Sequence, residues 1–261
     1  MGNLTVDEIL AMQLAGVQAS EIMSSKLTAD TVDDSYDQYG DEACDILDRQ
    51  EDAGVVSLTF QDANFPKSLK RLGADCPPLI HCLGNRSLMG DESKCVAIIG
   101  ARGCTKDGFR KARELGERFA SEGNVIISGL ALGCDKAAHE GCLDAGGKTI
   151  AIVGSGLDII FPSENVGLQK RILENGGLIV SEQHFGIKAS GKTLVARNRL
   201  QAGLSRAVIL AECPAHSGSL HTMRFARKYH RESLAAIFPV WNKDNEGNHN
   251  LIKDKFAKPI S

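Results

Sequence analysis

From residue 95 onward, short continuous apolar runs alternate with amphipathic segments of helical period, and each apolar run ends in a loop of small residues. No other feature limits the possible folds of this chain as much. Residues 95–99 read CVAII; the runs at 125–127, 149–153, 178–180 and 207–211 follow, and 234–238 is the last. Apolar runs this short, with no polar alternation, are strands buried on both faces. Between them, Phe109, Ala112, Gly116, Phe119 and Ala120 mark one helix face, and residues 135–145 form a second helix stopped by Gly146-Gly147. Further helices are expected from Ser163 to 173, around 197–203 and over 217–230. Strands joined by helices of this length take right-handed crossovers. The result is an α/β fold with an open, doubly wound, mostly parallel sheet and helices on both faces.

Two further strands are expected at 55–60 and 79–83, around an amphipathic stretch at 67–72 bounded by Pro66 and Pro77-Pro78. Residues 1–54 read differently. Val6, Ile9, Leu10, Leu14 and Val17 recur at helical spacing behind a possible Thr5/Glu8 capping box, and Gly54 ends an acidic stretch at 30–52. That stretch reads as a solvated helix pair or linker. The formal net charge of −3 hides a split: residues 1–54 hold 13 Asp and Glu against 2 Lys and Arg, a net of −11, and residues 55–261 carry +8. We therefore expect a small acidic helical N-terminal module, 1–54, and a basic α/β domain, 55–261, suited to an anionic partner.

No apolar run is long enough to span a membrane, and the first residues are acidic where a signal peptide would be basic. The 8 cysteines never form Cys-x-x-Cys, so neither a zinc site nor a disulfide framework is expected; reduced thiols suit a cytoplasmic location. A dinucleotide fingerprint, a phosphate-binding P-loop and a nucleophile elbow are all missing, so no cofactor, metal or catalytic residue is expected.

Ligands of such sheets bind beyond the carboxyl ends of the strands. The loops there carry Gly100 and Arg102, then Ser128 and Gly129, then Gly154 and Gly156, and finally Ser217, Gly218 and Ser219 leading to Thr222. Glycines admit backbone amides to an anion, and hydroxyls at a helix start add donors on its positive end. The densest basic feature is Arg197-Asn198-Arg199, with Lys188, Lys192 and Arg206 nearby; the arginine fork matches phosphate. Asp135 and His139, four apart, are expected to pair as a capping Asp on a core His, and His216 and His221 flank the hydroxyl cluster.

The runs VAIIGAR, ISGLALGCDKAAHEGCLDAGGKTIAIVGSGLDIIFPSEN, GGLIVSE, RNRLQAGLS and AVILAECPAHSGSLHT, in this order, resemble the DNA-processing protein A family, also called Smf. FPKSLKRL and PPLIHCLGN resemble its lead-in, and Gly247-Asn248 with Leu251-Ile252 its closing segment. The resemblance implies an extended Rossmann-like domain that binds single-stranded DNA, protects it and helps load a RecA-type recombinase in natural transformation, as a homodimer and without enzymatic activity. Its Gly-Ser-Arg motif falls on Gly100, Ala101 and Arg102, its Arg-Asn-Arg motif on 197–199, and its Ser-Gly-Ser-x-x-Thr motif on Ser217, Gly218, Ser219 and Thr222. Three positions depart from the pattern: Ala101 replaces serine, Phe161 replaces tyrosine, and Leu194-Val195-Ala196 replaces Phe-Pro. The competing reading is a nucleotide-binding Rossmann-like protein, either a nucleoside-monophosphate phosphoribohydrolase or a ligand sensor. The phosphoribohydrolase Pro-Gly-Gly-x-Gly-Thr-x-x-Glu motif is replaced here by Ser217-Gly218-Ser219.

Overall fold

The computed structural model describes residues 3–261. Three helices open the chain: α1 (Val6–Leu14), α2 (Ala19–Ile22) and α3 (Ala29–Asp52). The Thr5/Glu8 capping box forms, with the Glu8 amide donating to Thr5 Oγ1 at 3.3 Å and the Thr5 amide to Glu8 Oε2 at 2.8 Å. The acidic stretch is neither a helix pair nor a linker. It is one helix of 24 residues that buries Val32, Ala43 and Ile46, and Gly54 follows it at φ +76°, a conformation that favours glycine.

Next come β1 (Val55–Thr59), α4 (Lys67–Lys70), β2 (Leu79–Gly84), β3 (Cys95–Ile99), α5 (Lys106–Ser121), β4 (Val125–Ser128), α6 (Cys134–Asp144) and β5 (Thr149–Ile152). They are followed by α7 (Val166–Glu174), β6 (Leu178–Ser181), α8 (Gly191–Ala196), α9 (Asn198–Gly203), β7 (Ala207–Leu210), α10 (Ser219–Lys228), β8 (Glu232–Ala236), α11 (Glu246–Lys253) and β9 (Lys258–Ile260). One sheet takes the order β1-β2-β6-β5-β4-β3-β7-β8-β9. From β6 to β9 all neighbours are parallel; β1 with β2 and β2 with β6 are antiparallel.

The buried strands divide their residues between two faces. Val96 and Ile98 pack with Ala112, Leu115 and Phe119 of α5, while Ala97 and Ile99 pack with Leu200 and Met223 on the other side. A third cluster joins Ile9, Leu10 and Ile46 to Leu79, Ala151 and Ile179, so the N-terminal helices share a core with the sheet. Gln50 on α3 also bonds to the Phe185 amide at 3.1 Å and to His81 Nδ1 at 3.0 Å.

The chain winds outward from β3 through β4, β5 and β6, then crosses back to lay β7 on the opposite side of β3. The strand order therefore switches between β3 and β7, and their carboxyl ends diverge into a crevice.

Candidate nucleic-acid interface

A cavity of 520 Å³ lies at this switch point. Gly100, Ala101 and Arg102 line it after β3, Ser217, Gly218 and Ser219 after β7, and Arg197 and Asn198 at the start of α9. Three predicted loops thus converge. Two hydrogen bonds hold them together: Ser219 Oγ donates to Gly100 O at 2.7 Å, and Asn198 Nδ2 to Gly218 O at 3.4 Å. Asn248 holds the neighbouring strand ends, donating to the carbonyls of Leu210, Ala211 and Ala236 and accepting from the Cys213 amide at 3.0 Å.

Several helices begin near the cavity, and two of them, α5 and α6, have an acidic side chain at their start. Glu212 is buried and fills the start of α5, accepting from the Thr105 amide at 2.7 Å and the Thr105 hydroxyl at 2.8 Å. Asp135 fills the turn before α6, accepting from the Gly129 amide at 3.2 Å. At the start of α10 the Gly218 N-cap has no side chain to cap with, and the first amides bond locally, Ser219 to Ser217 Oγ at 3.3 Å, Leu220 to Ser217 O at 3.1 Å and His221 to Gly218 O at 3.1 Å; Thr222 is buried one turn in. The protein's own carboxylate thus occupies the positive end of α5.

The arginines play unequal roles. Arg102 is exposed and lines the cavity. Arg197 is buried to 6% exposure; Nη1 donates to Ile152 O at 2.8 Å and to Gly129 O. Burial pulls its pKa down to about 10, with Asp135 opposing that fall and Arg102 adding to it, so it stays charged at neutral pH. Burial raises the Asp135 pKa, and Arg197 opposes the rise. Arg199 turns away: its guanidinium is paired with Glu182, and Nε donates to Asp75 O at 2.8 Å. Burial works against its charge, but Glu182 holds its pKa above the ordinary arginine value.

The other predicted residues support the cavity from outside its lining. Ser128 is buried, its hydroxyl donating to Ile98 O at 2.6 Å. Gly129 sits between Asp135 and Arg197. At Gly154 a Cβ would come within 3.2 Å of Leu194, and the Gly156 amide bonds to Ile187 O at 2.8 Å, so both pack under the segment carrying α8. Lys192 is exposed on α8, beside the lining residues Gly191 and Leu194.

The expected Asp135–His139 pair does not form. His139 Nδ1 instead bonds to Thr149 Oγ1 at 2.7 Å, and Asp135 turns to the loop at Gly129. Sequence reasoning missed Glu212 as a helix cap and Gln201 in the cavity lining. The one available signal was an acid placed directly at the end of an apolar run. All eight cysteines are free thiols. Among the described residues there is no group of three or more His, Cys, Asp or Glu placed to hold a metal ion, and no helix long and apolar enough to cross a membrane.

A mostly parallel sheet with helices on both faces and a switch-point crevice defines a Rossmann-like protein. The family model for DNA recombination-mediator protein A matches residues 56–261, and the chain belongs to that family. It is 37% identical over 209 residues to protein Smf of Synechocystis, covering 79% of this chain and 52% of the relative. It is 37% identical over 198 residues to DNA processing protein DprA of Streptococcus pneumoniae, covering 76% of this chain and 68% of the relative. The chain thus spans about half the length of the first relative and about two thirds of the second. The solved structure of DprA from S. pneumoniae superimposes with a TM-score of 0.87 at 29% identity, over 99% of this chain and 95% of that one. A structure of DNA processing protein A from Helicobacter pylori, which describes its single-stranded DNA binding mode, matches with a TM-score of 0.70 at 32% identity, over 79% of this chain and 90% of that one.

Proposed function

We propose that this chain is a cytoplasmic, non-enzymatic DNA-processing protein that binds single-stranded DNA at the switch-point cavity and passes it to a RecA-type recombinase as a homodimer. The observation that carries the reading is the cavity shared by the exposed Arg102 and the Ser217–Ser219 turn before α10, in a protein similar to one described for single-stranded DNA binding. The Ser217 and Gly218 amides would receive a strand phosphate, Arg102 would neutralise it, and Arg197 would fix the loop behind it. The net charge of +8 on residues 55–261 supports an anionic partner, and the −11 segment, whose helices share a core with the sheet, would discourage non-specific contacts. Titration of a labelled strand against the full chain tests this. Binding should weaken with salt and on Arg102→Ala; salt-independent binding, or none, would refute the assignment.

A further inference from the structure

Two of the free thiols, Cys104 and Cys134, meet beside the turn that carries Arg102. Cys134 opens α6 and is buried. Cys104 lies two residues after Arg102, is partly exposed, and packs on the apolar cluster that holds Cys134. The two thiols are hydrogen-bond partners. The backbone holds them in place. The Ala101 amide donates to Glu212 O at 2.8 Å, and the Cys134 amide donates to Ala101 O at 3.2 Å. Thr105, next to Cys104, is tied to the Glu212 carboxylate. Cys134 Sγ also lies 3.8 Å from Glu212 O. Between these anchors Arg102 and Gly103 are exposed, and a Cβ on Gly103 would meet nothing within 4 Å, so the turn has room to shift.

The pair differs from the other cysteines in reactivity. Burial pushes Cys82, Cys95, Cys142 and Cys213 up to about 12, where thiolate is scarce at neutral pH. The Cys134 contact lowers the Cys104 pKa, with burial and Glu212 opposing it. The same contact, together with burial, raises that of Cys134. One sulfur is the better thiolate and is open to solvent, and the other keeps its proton beside it. These are the properties of an attacking and a resolving thiol. We infer that Cys104 and Cys134 form an oxidation site, closed by a peroxide to an internal disulfide that ties the Arg102 turn to the start of α6.

The Cys104 thiolate attacks one peroxide oxygen. An S–O bond forms, the O–O bond breaks, and the departing hydroxide takes up the proton that the Cys104 thiol lost, giving water. Cys104 is then a sulfenic acid. The Cys134 sulfur attacks it; the S–S bond forms as the S–O bond breaks, and the Cys134 proton leaves with the hydroxyl group as a second water. The two sulfurs lose two electrons and the peroxide gains them. A disulfide is much shorter than a thiol hydrogen bond, and Cys134 is fixed in α6, so the Cys104 side moves and carries Arg102 with it.

The test treats the full chain with hydrogen peroxide and then alkylates it. Two of its eight thiols should escape alkylation, and a tryptic digest should hold a new peptide pair linking Cys104 to Cys134, lighter by two hydrogens and released by dithiothreitol. Cys134→Ala should halt at the sulfenic acid, which dimedone captures on Cys104. Cys104→Ser should form no disulfide at the same dose, and it carries the test if the alanine variant fails to fold by circular dichroism. Resting on the function proposed above, the oxidised chain should bind a labelled strand about tenfold more weakly, as for the loss of one charge-assisted contact, and reduction should restore binding. Peroxide that leaves all thiols free, or links other cysteines, overturns the site. A disulfide that leaves strand binding unchanged overturns the tie to the Arg102 turn. If the reduced chain binds no strand, the proposed function falls and the linked peptide alone decides the oxidation site.

Discussion

Arg197 and Asp135 meet at Gly129. A Cβ on residue 129 would lie 2.7 Å from an Arg197 terminal nitrogen and 2.6 Å from Asp135 Oδ2. The loop after β4 therefore needs a glycine for the two buried charges to close around it. Gly129→Ala should destabilise the protein by about 1–3 kcal/mol, through forced displacement of both side chains. Urea denaturation measures this, and an unchanged midpoint would mean that the pair yields easily.

Arg102 and Arg199 should separate binding from stability. Arg102 is exposed and reaches the cavity, so Arg102→Ala should weaken strand binding and lower the salt slope by about 0.7 for one lost phosphate contact, with the unfolding midpoint unchanged. Arg199 holds Glu182 and the Asp75 carbonyl. Arg199→Ala should cost about 2–4 kcal/mol of stability by leaving Glu182 unpaired, with the salt slope retained.

Glu212 holds Thr105, the N-cap of α5, 107 residues earlier in the chain. Glu212→Gln should destabilise by about 1–2 kcal/mol and reduce amide protection in the first turn of α5, read by hydrogen exchange.

Two buried histidines set an acid limit. Burial pushes His81 down to about 3 and His139 down to about 3. Their folded pKa values lie below the unfolded value of about 6.5, so between those limits the unfolded chain binds more protons than the folded one. Stability should thus be full above about pH 6.5 and fall progressively as the pH drops towards 3. Denaturation midpoints at pH 7.5 and about 5 give the slope, and His139→Gln should flatten part of it.

The acidic face of α3 carries exposed Asp33, Asp34, Asp37 and Asp41. Changing all four to Asn should raise affinity for a non-specific strand at low salt and have little effect at high salt, where the repulsion is screened. Equal affinities at low salt would assign that face no electrostatic role in binding.

Much of this architecture was legible because parallel strands buried on both faces leave unbroken apolar runs. Cys95–Ile99 and Ala207–Leu210 stand in the sequence almost as they do in the sheet. What stayed hidden depended on long-range partners. The last helix and strand, α11 and β9, carry weak periodicity and are fixed by packing and by Asn248. The 197–199 triplet showed three site candidates of similar standing. The fold buries Arg197 behind the loop and spends Arg199 on Glu182, 17 residues away, and no local spacing announces either. Glu212 and Asp135 looked like ordinary acids near glycine loops. Only the folded geometry shows that Glu212 holds the start of α5 and that Asp135 turns from His139 to the Gly129 amide.

The central claim is that the α10 start and Arg102 form the strand site. The most direct measurement is binding of a labelled single strand across a salt series, for the full chain and for Arg102→Ala. Log K should fall linearly with log salt, and the variant should bind more weakly, with a shallower slope and unchanged stability. A variant that binds with the same affinity and slope as the unaltered chain would contradict it.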